Sequence, residues 1–316
     1  MPTIIAELCQ NHNGDESLLN EMIHAAAEAG ADYAKVQSML ADDLTSRERF
    51  EEGVVENGRQ IAIKRPYQAE YDRLKPMDLD DDAHYRYIEQ CRSAGIQPLT
   101  TAFSRSRIPF LSSLGFDAVK VASYDCASVP LLKELKDEFG HIFVSTGATF
   151  DEEIETAADV LAGHPFSFLH CVTVYPTPLS EMHLARMAYL RQFTDSVGLS
   201  DHSLVAQDGT KACAVALLLG ADVLERHFTI LPANESRDGP VSINPKQLAE
   251  LAALGRMAKP DLQAYVESEV GDYGMMMGSA HRTLSDVEML NRDYYRGRFA
   301  SKVAGEEIFN WDDRPV

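Results

Sequence analysis

The sequence predicts an α/β protein, a (β/α)8 TIM barrel with a C-terminal extension arm. Eight short apolar runs, rich in β-branched residues and without regular apolar–polar alternation, are typical of parallel strands buried on both faces. Longer segments with helical periodicity separate these runs, and the alternation covers about 250 residues, the usual size of such a barrel. An open doubly wound sheet, the alternative, is disfavoured because no G-x-G-x-x-G motif follows the first strand.

Strands and helices alternate along most of the chain. Helices are predicted over 15–30, 128–139 and 207–219, where apolar residues recur at helical spacing, and Gly30 is placed to end the first of them. The predicted strands are 4–9, 32–37, 96–102, 118–123, 141–146, 166–171, 196–201 and 223–229.

Two segments fall outside this repeat. Residues 47–82 form a long polar excursion after the second strand, and we expect an extended loop with a little helix over the active-site face. Residues 266–316 contain Trp311 and several tyrosines, which makes them too aromatic for a disordered tail. We therefore divide the chain into a catalytic barrel, 1–265, and a linker arm, 266–316, packed on its own barrel or exchanged with a partner subunit.

Composition argues against several classes of partner and site. The chain has 29 Lys and Arg against 49 Asp and Glu, a formal net charge of −20, and no basic run, which argues against nucleic acid and anionic membranes. The N-terminus has no basic segment followed by an apolar one, and no long apolar span occurs, so we expect a cytoplasmic protein. Five scattered cysteines without a C-x-x-C pair indicate buried thiols in a reducing compartment, and argue against disulfides or a zinc–thiolate site.

Polar and ionisable residues follow all eight predicted strands. A purely structural barrel has no need of them, because a buried polar group costs free energy unless it is paired. Lys35, Lys120 and Arg226 come from three strand ends, with Ser and Thr hydroxyls between them, and this combination suits a phosphate or a carboxylate. A salt bridge to a neighbouring carboxylate is the alternative for each lysine.

Two histidines end neighbouring strands. His202 and His227 follow the seventh and eighth strands, whose ends lie about 5 Å apart, the separation that two ligands of one metal need. Because no cysteine is convincingly placed beside them, two imidazoles with carboxylate and water favour Mn²⁺ or Mg²⁺ over structural zinc. The alternative is a pair of hydrogen-bonded core histidines. His170, within an apolar run, is predicted to be structural, and His12 either serves the site or shapes its turn.

The motifs at the strand ends resemble those of the sialic acid synthase family, whose members condense phosphoenolpyruvate with an amino-sugar to make nonulosonic acids. They occur in the family's order over residues 4 to 260, and the ordered set is specific although each motif is short. The motifs are Ile4-Ile5-Ala6-Glu7, Asn11-His12-Asn13-Gly14, Gly30-Ala31-Asp32 leading to Lys35 and Gln37, Thr101-Ala102-Phe103-Ser104, Lys120-Val121-Ala122-Ser123, Ser145-Thr146-Gly147, His170-Cys171, Tyr175-Pro176-Thr177-Pro178, Gly198-Leu199-Ser200-Asp201-His202 and Leu224-Glu225-Arg226-His227-Phe228-Thr229.

The resemblance implies a role for individual positions. His202 and His227 match the metal ligands, with Mn²⁺ as the expected ion and Mg²⁺ or Co²⁺ as alternatives. Lys35 and several hydroxyls match the positions that hold phosphoenolpyruvate. The predicted catalytic residues are Glu7, Lys35, Asp125 and Tyr175. The predicted substrate-binding residues are Thr101, Lys120, Ser123, Ser145, Thr173, Ser200 and Arg314.

The chain departs from the family pattern on the sugar side and at its end. The family usually has Glu at Asp125 and Asn or Ser at Thr173, and an acidic residue expected after the eighth strand is missing, with Asp238 as the nearest substitute. Members commonly continue through a linker ending in Arg-Pro-Gly into an antifreeze-like domain, whereas this chain stops two residues after Arg314. In the family that arginine reaches the partner's sugar site, so we expect a homodimer; a disordered terminus is the alternative.

The expected reaction is metal-dependent condensation of phosphoenolpyruvate with an open-chain, N-acylated amino-sugar. It gives a 3-deoxy-2-keto acid and phosphate, with cleavage of the C–O bond. One alternative is a Schiff-base pyruvate aldolase that uses Lys35 or Lys120 as its nucleophile, or another phosphoenolpyruvate-dependent synthase. A further alternative is a catalytically silent barrel that acts as a binding subunit. The sugar stays open among N-acetylmannosamine, the precursors of legionaminic and pseudaminic acid, and a shorter sugar.

Overall fold

Eight parallel strands close into a barrel in the computed structural model, which describes residues 1–316. The strands in chain order are β1 (Thr3–Glu7), β2 (Tyr33–Ser38), β3 (Val54–Glu56), β4 (Arg59–Ala62), β5 (Gln97–Ala102), β6 (Ala118–Val121), β7 (His141–Ser145), β8 (Phe166–His170), β9 (Val197–Asp201), β10 (Val223–His227), β11 (Ser301–Val303) and β12 (Glu306–Ile308). Around the barrel the order is β1-β10-β9-β8-β7-β6-β5-β2, while β3–β4 and β11–β12 are separate hairpins. The predicted (β/α)8 fold is confirmed, and all eight predicted barrel strands are present.

The barrel interior is layered because side chains two positions apart share one face of a strand. One layer is apolar and fully packed, and its members are Ile5, Leu99, Ala118, Phe143, Leu169 and Val223. Two residues further along each of these strands the inward positions become polar or ionisable, as at Glu7 and Glu225. On the outer face, strand residues pack against the helices in a cluster of 59 buried residues. The apolar layer therefore closes one end of the barrel and leaves the carboxyl ends for chemistry.

Thirteen helices accompany the strands. In chain order they are α1 (Glu16–Glu28), α2 (Tyr67–Leu74), α3 (Asp81–Ala94), α4 (Ile108–Ser113), α5 (Val129–Glu138), α6 (Asp151–Leu161), α7 (Arg186–Leu190), α8 (Val205–Asp208), α9 (Lys211–Leu218), α10 (Pro245–Leu254), α11 (Lys259–Tyr265), α12 (Gly274–Met277) and α13 (Asp286–Tyr295). The side chain of Asp15 caps α1 by accepting from Ser17 N–H (2.8 Å), and Gly30 follows that helix with φ +90°, as predicted. None of these helices combines the length and the apolar character that a membrane span requires.

The prediction of a single helix over 207–219 is wrong. The structure has two helices, α8 and α9, with Gly209 between them at φ +56°. This left-handed backbone conformation is inexpensive only for glycine, and it turns the chain out of the α-helix before α9 begins.

The polar excursion after β2 lies over the carboxyl ends of the barrel strands, as expected. It contains the β3–β4 hairpin and helix α2, and it contributes Arg65 and Arg73 to the wall of a large cavity there. The hairpin is absent from our sequence prediction, because its strands have three and four residues and lack a strong apolar pattern.

The C-terminal arm packs on its own barrel. A π-helical turn, Val266–Val270, continues α11 directly, so the predicted division at residue 265 falls within one helical segment. Further on, Asn291 Nδ2 donates to Thr173 O (2.8 Å) and Asn310 Nδ2 donates to Phe103 O (3.0 Å). Arg47 Nη1 in the excursion donates to Arg296 O (3.1 Å), so the excursion and the arm hold each other across the barrel mouth. Exchange of the arm with a partner subunit stays a prediction.

Arg226 is a structural residue, and its predicted part in anion binding is wrong. Its side chain is fully buried, forms an ion pair with Asp201 on the neighbouring strand β9, and donates to Ser203 Oγ (2.9 Å). The physical reason is alternation: Glu225 faces the barrel interior, so the next residue faces the surrounding helices. The pair ties β9 to β10 below the site.

We predict that Arg226→Leu lowers the free energy of unfolding by about 3–5 kcal/mol, because it leaves the carboxylate of Asp201 buried without its charged partner. Urea unfolding measures the change. The matched control is Arg86→Leu, which breaks an ion pair with Glu16 between α3 and α1 where both side chains are about half exposed, and should cost less than about 1 kcal/mol. Equal losses for the two variants would contradict the assigned role of Arg226.

Candidate active site

A cavity of about 500 Å³ opens at the carboxyl ends of the barrel strands. Residues from all eight strand ends line it, together with residues from the excursion after β2, the loop after β10 and the C-terminal arm. The predicted site residues found in its wall are Glu7, Lys35, Thr101, Lys120, Ser123, Ser145, Thr173, Tyr175, Ser200, His202 and His227. Asp125 and Arg314 are the two predicted site residues that the cavity wall does not include.

The floor of the cavity is a buried network of four charged side chains. The Lys35 ammonium contacts the Glu7 carboxylate and lies 2.9 Å from Glu225 Oε2. Lys120 Nζ lies 3.6 Å from Glu225 Oε1 and donates to Ser145 Oγ (2.6 Å). Two cations and two anions therefore balance each other, and Glu225, absent from our predicted site residues, joins both lysines.

The strand register brings these four side chains together. In the parallel pairing Glu7 is opposite Lys35 of β2, and Glu225 is opposite Ser200 of β9, whose Oγ donates to Glu225 Oε1 (2.8 Å). All four ionised side chains point inward, where charge is tolerated only if it is paired and hydrogen-bonded. Lys35 and Lys120 therefore form the salt bridges of the alternative prediction, and they also line the cavity in which an anion is predicted to bind.

The two lysines differ in their protonation. Burial lowers the pKa of Lys120, and the neighbouring charge of Lys35 lowers it further, against the opposing effect of Glu225. Burial also acts to lower the pKa of Lys35, but the carboxylates of Glu225 and Glu7 outweigh it and raise that pKa above its usual value. Burial raises the pKa of Glu225, but the charges of Lys120 and Lys35 lower it by more, so the net effect is a lowered pKa. Lys35 is thus a fixed cation, and Lys120 is the one that gives up its proton more readily.

Hydroxyl groups form the wall beside Lys120. Ser123 Oγ accepts from the backbone N–H of Gly147 (3.2 Å) and lies 3.0 Å from Cys171 Sγ. A side chain at Gly147 would place its Cβ 2.5 Å from that sulfur and 2.6 Å from Thr173 Cγ2. Only glycine permits this close approach, which keeps the hydroxyls of Ser123 and Ser145 at one wall of the cavity.

Four arginines surround the cavity mouth, and none of them is among our predicted site residues. They are Arg65, Arg73, Arg237 and Arg298. Glu70 forms ion pairs with Arg73 (3.1 Å), Arg298 (2.7 Å) and Arg65 (3.6 Å), so part of their charge is already paired. The lining as a whole has six Lys and Arg against the three carboxylates of Glu7, Glu225 and Asp238. The site is therefore cationic in a protein of net charge −20.

His202 and His227 lie side by side, with ring centroids 5.3 Å apart. His202 Nδ1 lies 3.3 Å from the carbonyl oxygen of Val172, which can only accept, so this nitrogen donates and Nε2 accepts from the Tyr175 hydroxyl (2.9 Å). Burial lowers the pKa of His202 well below its usual value, and the neighbouring His227 adds to the effect. His202 is therefore neutral, the form in which imidazole binds a metal.

The residues around His227 fit a divalent metal ion. Nδ1 of His227 is buried and has no hydrogen-bond partner, which is uncommon for a polar atom inside a protein. Asp238 Oδ2 lies 3.9 Å from it, and Asp238 stays the nearest substitute for the acidic residue expected after the eighth strand. Cys9 belongs to the same group, since one ligand atom each from Cys9, His227 and Asp238 lie within 4.8 Å of one another. The premise that no cysteine lies near the histidines is wrong.

Asp125 lines a small cavity beside the main one and is not part of the main cavity's wall, and its predicted catalytic role stays a prediction. It follows β6 in a 3₁₀ turn, is buried, and accepts hydrogen bonds from Asn310 Nδ2 (3.0 Å) and Ser128 Oγ (3.2 Å). The turn directs the carboxylate away from the floor and towards the C-terminal arm. Asp125 therefore anchors the arm.

Arg314 also lies away from the cavity. Its guanidinium is half exposed and pairs with Glu306 (2.9 Å) and Asp312 (3.0 Å) of its own arm. Its predicted contact with a partner's sugar site requires a second subunit and stays a prediction.

The predicted structural role of His170 agrees with its surroundings. It is fully buried, Nε2 lies 2.7 Å from Met182 O, and burial lowers its pKa to about 3. His12 is buried in the loop after β1, and its Nδ1 accepts from Gly14 N–H (3.2 Å), so it shapes the turn; it is not part of the cavity wall.

Comparison with known proteins decides the family. The NeuB family model matches residues 22–265, more than three quarters of the chain. The chain belongs to the NeuB family. The resemblance to sialic acid synthases is thereby confirmed.

Relatives within the NeuB family carry names of nonulosonic acid synthases. N,N'-diacetyllegionaminic acid synthase of Legionella pneumophila is 30% identical in an alignment of 319 positions. The alignment covers 95% of this chain and 83% of that protein. Pseudaminic acid synthase of Campylobacter jejuni is 30% identical, with 97% and 84% covered. The crystal structure of N-acetylneuraminic acid (sialic acid) synthetase of Leptospira borgpetersenii in complex with citrate has a TM-score of 0.70 at 26% identity, with 93% and 91% covered.

We predict that Asp125 makes the stability of this NeuB family member fall as pH rises from about 4 to about 7. Burial raises the pKa of Asp125 to about 6, above its ordinary value of 3.8, so the folded protein holds a proton that the unfolded chain releases. The stabilisation is fully present below the pKa of the unfolded chain and is lost as pH rises through the pKa of the folded protein. The total loss is up to about 3 kcal/mol.

Urea unfolding of the wild type and of Asp125→Asn across that pH range measures this effect. The wild type should lose stability relative to the variant as pH rises, because the amide cannot ionise. Asp137→Asn removes an exposed carboxylate on α5 and should change stability by less than about 0.5 kcal/mol at any pH. A constant difference between wild type and Asp125→Asn would show that Asp125 does not bind the extra proton.

Proposed function

We propose that this protein is a nonulosonic acid synthase, which condenses phosphoenolpyruvate with the open-chain form of an amino-sugar aldose. The observation that carries the proposal is the convergence of eleven predicted site residues, from all eight strand ends, on one cationic cavity. The names of the NeuB family relatives support the same reaction class. A silent barrel would gain nothing from a buried charge network aimed at a cavity.

Phosphoenolpyruvate fits the side of the cavity formed by Lys120 and the hydroxyls. Its phosphate and carboxylate need cationic and hydroxyl donors, which Lys120, Ser145 and Ser123 offer together. The floor lysines are neutralised by Glu7 and Glu225, so the additional positive charge comes from the arginines at the mouth. These arginines also draw an anionic substrate into the cavity from a distance.

The sugar fits the opposite side, near Tyr175, His202 and His227. Its aldehyde would meet C3 of phosphoenolpyruvate between the histidines and the floor, and the rest of the sugar would extend towards the mouth. A divalent ion held by His202, His227 and Asp238 supplies a Lewis acid for the aldehyde oxygen when it is bound. We propose Mn²⁺ as that ion.

The bonding changes follow from the two reactants. The C2–C3 π electrons of phosphoenolpyruvate form a bond to the aldehyde carbon, whose oxygen takes a proton and becomes a hydroxyl. Water adds to C2 and loses one proton, and the C2–O bond to phosphate then breaks as the new C2 hydroxyl gives its remaining proton to the departing phosphate, which leaves a ketone and inorganic phosphate. Glu7 is the proposed acid–base group for the water, because its carboxylate lines the cavity while Lys35 holds it in place.

An isotope experiment tests the reaction. We expect phosphate release and a product equal in mass to phosphoenolpyruvate plus sugar plus water minus phosphate when candidate aldoses are screened with Mn²⁺. If the bridging oxygen of phosphoenolpyruvate is labelled with ¹⁸O, the label should leave entirely with phosphate, because the C–O bond breaks. Label retained in the keto acid would contradict the proposed mechanism.

The aldolase alternative has one observation in its favour, the lowered pKa of Lys120. An aldolase would form a Schiff base between that amine and pyruvate, which borohydride would reduce to a stable adduct. A trapped adduct on Lys120, without phosphate release from phosphoenolpyruvate, would replace the synthase by the aldolase.

We predict that chelation abolishes phosphate release and that added Mn²⁺ restores it. His227→Ala should reproduce the chelated state, with a loss of at least about 100-fold in kcat that Mn²⁺ does not restore, because the Lewis acid is missing. His24→Ala on α1, outside the cavity wall, serves as the matched control and should keep full activity. Activity that survives thorough chelation would contradict the metal role.

A further inference from the structure

We propose that Cys9 is a ligand of the metal ion, so that the metal site contains a thiolate in addition to its imidazoles and carboxylate. The inference rests on the proposed metal site at His227, and it changes the chemistry expected there. It stands on the position of three side chains from separate parts of the chain: Cys9 after β1, His227 at the end of β10 and Asp238 in the loop that follows.

The barrel register brings Cys9 to the histidine. β1 and β10 pair in parallel with Glu7 opposite His227, so a residue two positions beyond Glu7 lies over the end of β10. Cys9 N–H donates to Glu7 Oε1 (2.7 Å), which fixes the turn after β1 against the charge network. One ligand atom from each of Cys9, His227 and Asp238 lies within 4.8 Å of the others, a separation that one ion can bridge.

One polar atom of this group lacks a hydrogen-bond partner. Nδ1 of His227 is buried without a hydrogen bond, and Cys9 is 1% exposed beside the carboxylate of Asp238. The imidazole nitrogen without a hydrogen bond leaves the group incompletely satisfied, and a cation bound by the imidazole, the thiolate and the carboxylate would satisfy it. The thiol would give its proton to solvent as the ion binds.

The other cysteines have no comparable surroundings. Cys91, Cys126, Cys171 and Cys213 are buried too, but none belongs to a group of three metal-ligating side chains. Cys213 donates to Asp201 (3.3 Å), and Cys171 contacts Ser123, but neither contact includes a histidine. The general expectation that a buried cysteine is a small apolar residue therefore holds for the others and fails at Cys9.

A thiolate ligand alters the choice of metal. Thiolates bind softer ions more tightly, and divalent affinity rises from Mn²⁺ through Co²⁺ towards Zn²⁺. The argument for Mn²⁺ from the sequence used imidazole, carboxylate and water alone. With Cys9 included, Zn²⁺ and Co²⁺ should bind more tightly than Mn²⁺, even if Mn²⁺ supports the reaction.

Cobalt(II) absorption tests the inference without reference to activity. Metal-free protein titrated with Co²⁺ should develop a near-ultraviolet sulfur-to-cobalt charge-transfer band that saturates at one ion per chain. The band should be absent in Cys9→Ser and unchanged in Cys91→Ser, the matched control on α3. Zn²⁺ affinity should fall in Cys9→Ser by more than the roughly 10–100-fold that loss of an outer-shell partner costs, and Mn²⁺ affinity should fall less.

The wild-type spectrum decides the matter even if Cys9→Ser fails to fold, because no other cysteine joins the group around His227. Visible cobalt bands without the sulfur band would overturn the inference. Asp238→Asn should weaken binding and keep the band. The outcomes also separate this inference from the proposed function: phosphate release without the band contradicts only the thiolate, and the band without phosphate release from any aldose contradicts only the synthase.

Discussion

The pairing of charge inside the barrel is the constraint on which the site depends. Glu7, Lys35, Glu225 and Lys120 stand one layer above the apolar packing of the barrel, where an unpaired charge would be costly. Each of the four touches at least one of opposite sign, and they come from β1, β2, β6 and β10. A shift of one residue in any of these strands would turn its charged side chain towards the helices and break the balance. The network thus stabilises the register that the chemistry requires.

Net charge and local charge are separate properties of this protein. The excess of carboxylates belongs to the whole molecule, whereas the cavity mouth has four arginines supplied by the excursion after β2, the loop after β10 and the C-terminal arm. Because the floor is balanced, the net positive charge that attracts an anion comes from these segments rather than from the strands. The arm is therefore part of the site: Asn310 holds Asp125 at one end of it, and Arg298 and Tyr295 face the cavity.

The fold and the cavity floor could be predicted because parallel strands are short, apolar and followed by functional residues. The failures have particular causes. Arg226 directly follows the inward-facing Glu225, so the alternation of side chains along a strand places it outside the barrel. Its positive charge alone does not indicate on which side of the strand it lies. Asp125 lies in a turn beyond its strand, where no period determines the direction of a side chain. The four mouth arginines come from segments without periodicity, and Cys9 meets Asp238 only through barrel closure, which joins residues more than two hundred positions apart.

Barrel closure also decides how much charge the metal contributes to the cavity. Two neutral imidazoles and the carboxylate of Asp238 would leave a divalent ion with one positive charge, which would add to the field of the arginines. A thiolate from Cys9 would cancel that charge, and the ion would then polarise the aldehyde oxygen next to it without attracting phosphoenolpyruvate. The anion would be directed to Lys120 and the arginines, away from the metal. A thiolate at this position would thus keep the two proposed substrates on separate sides of one cavity.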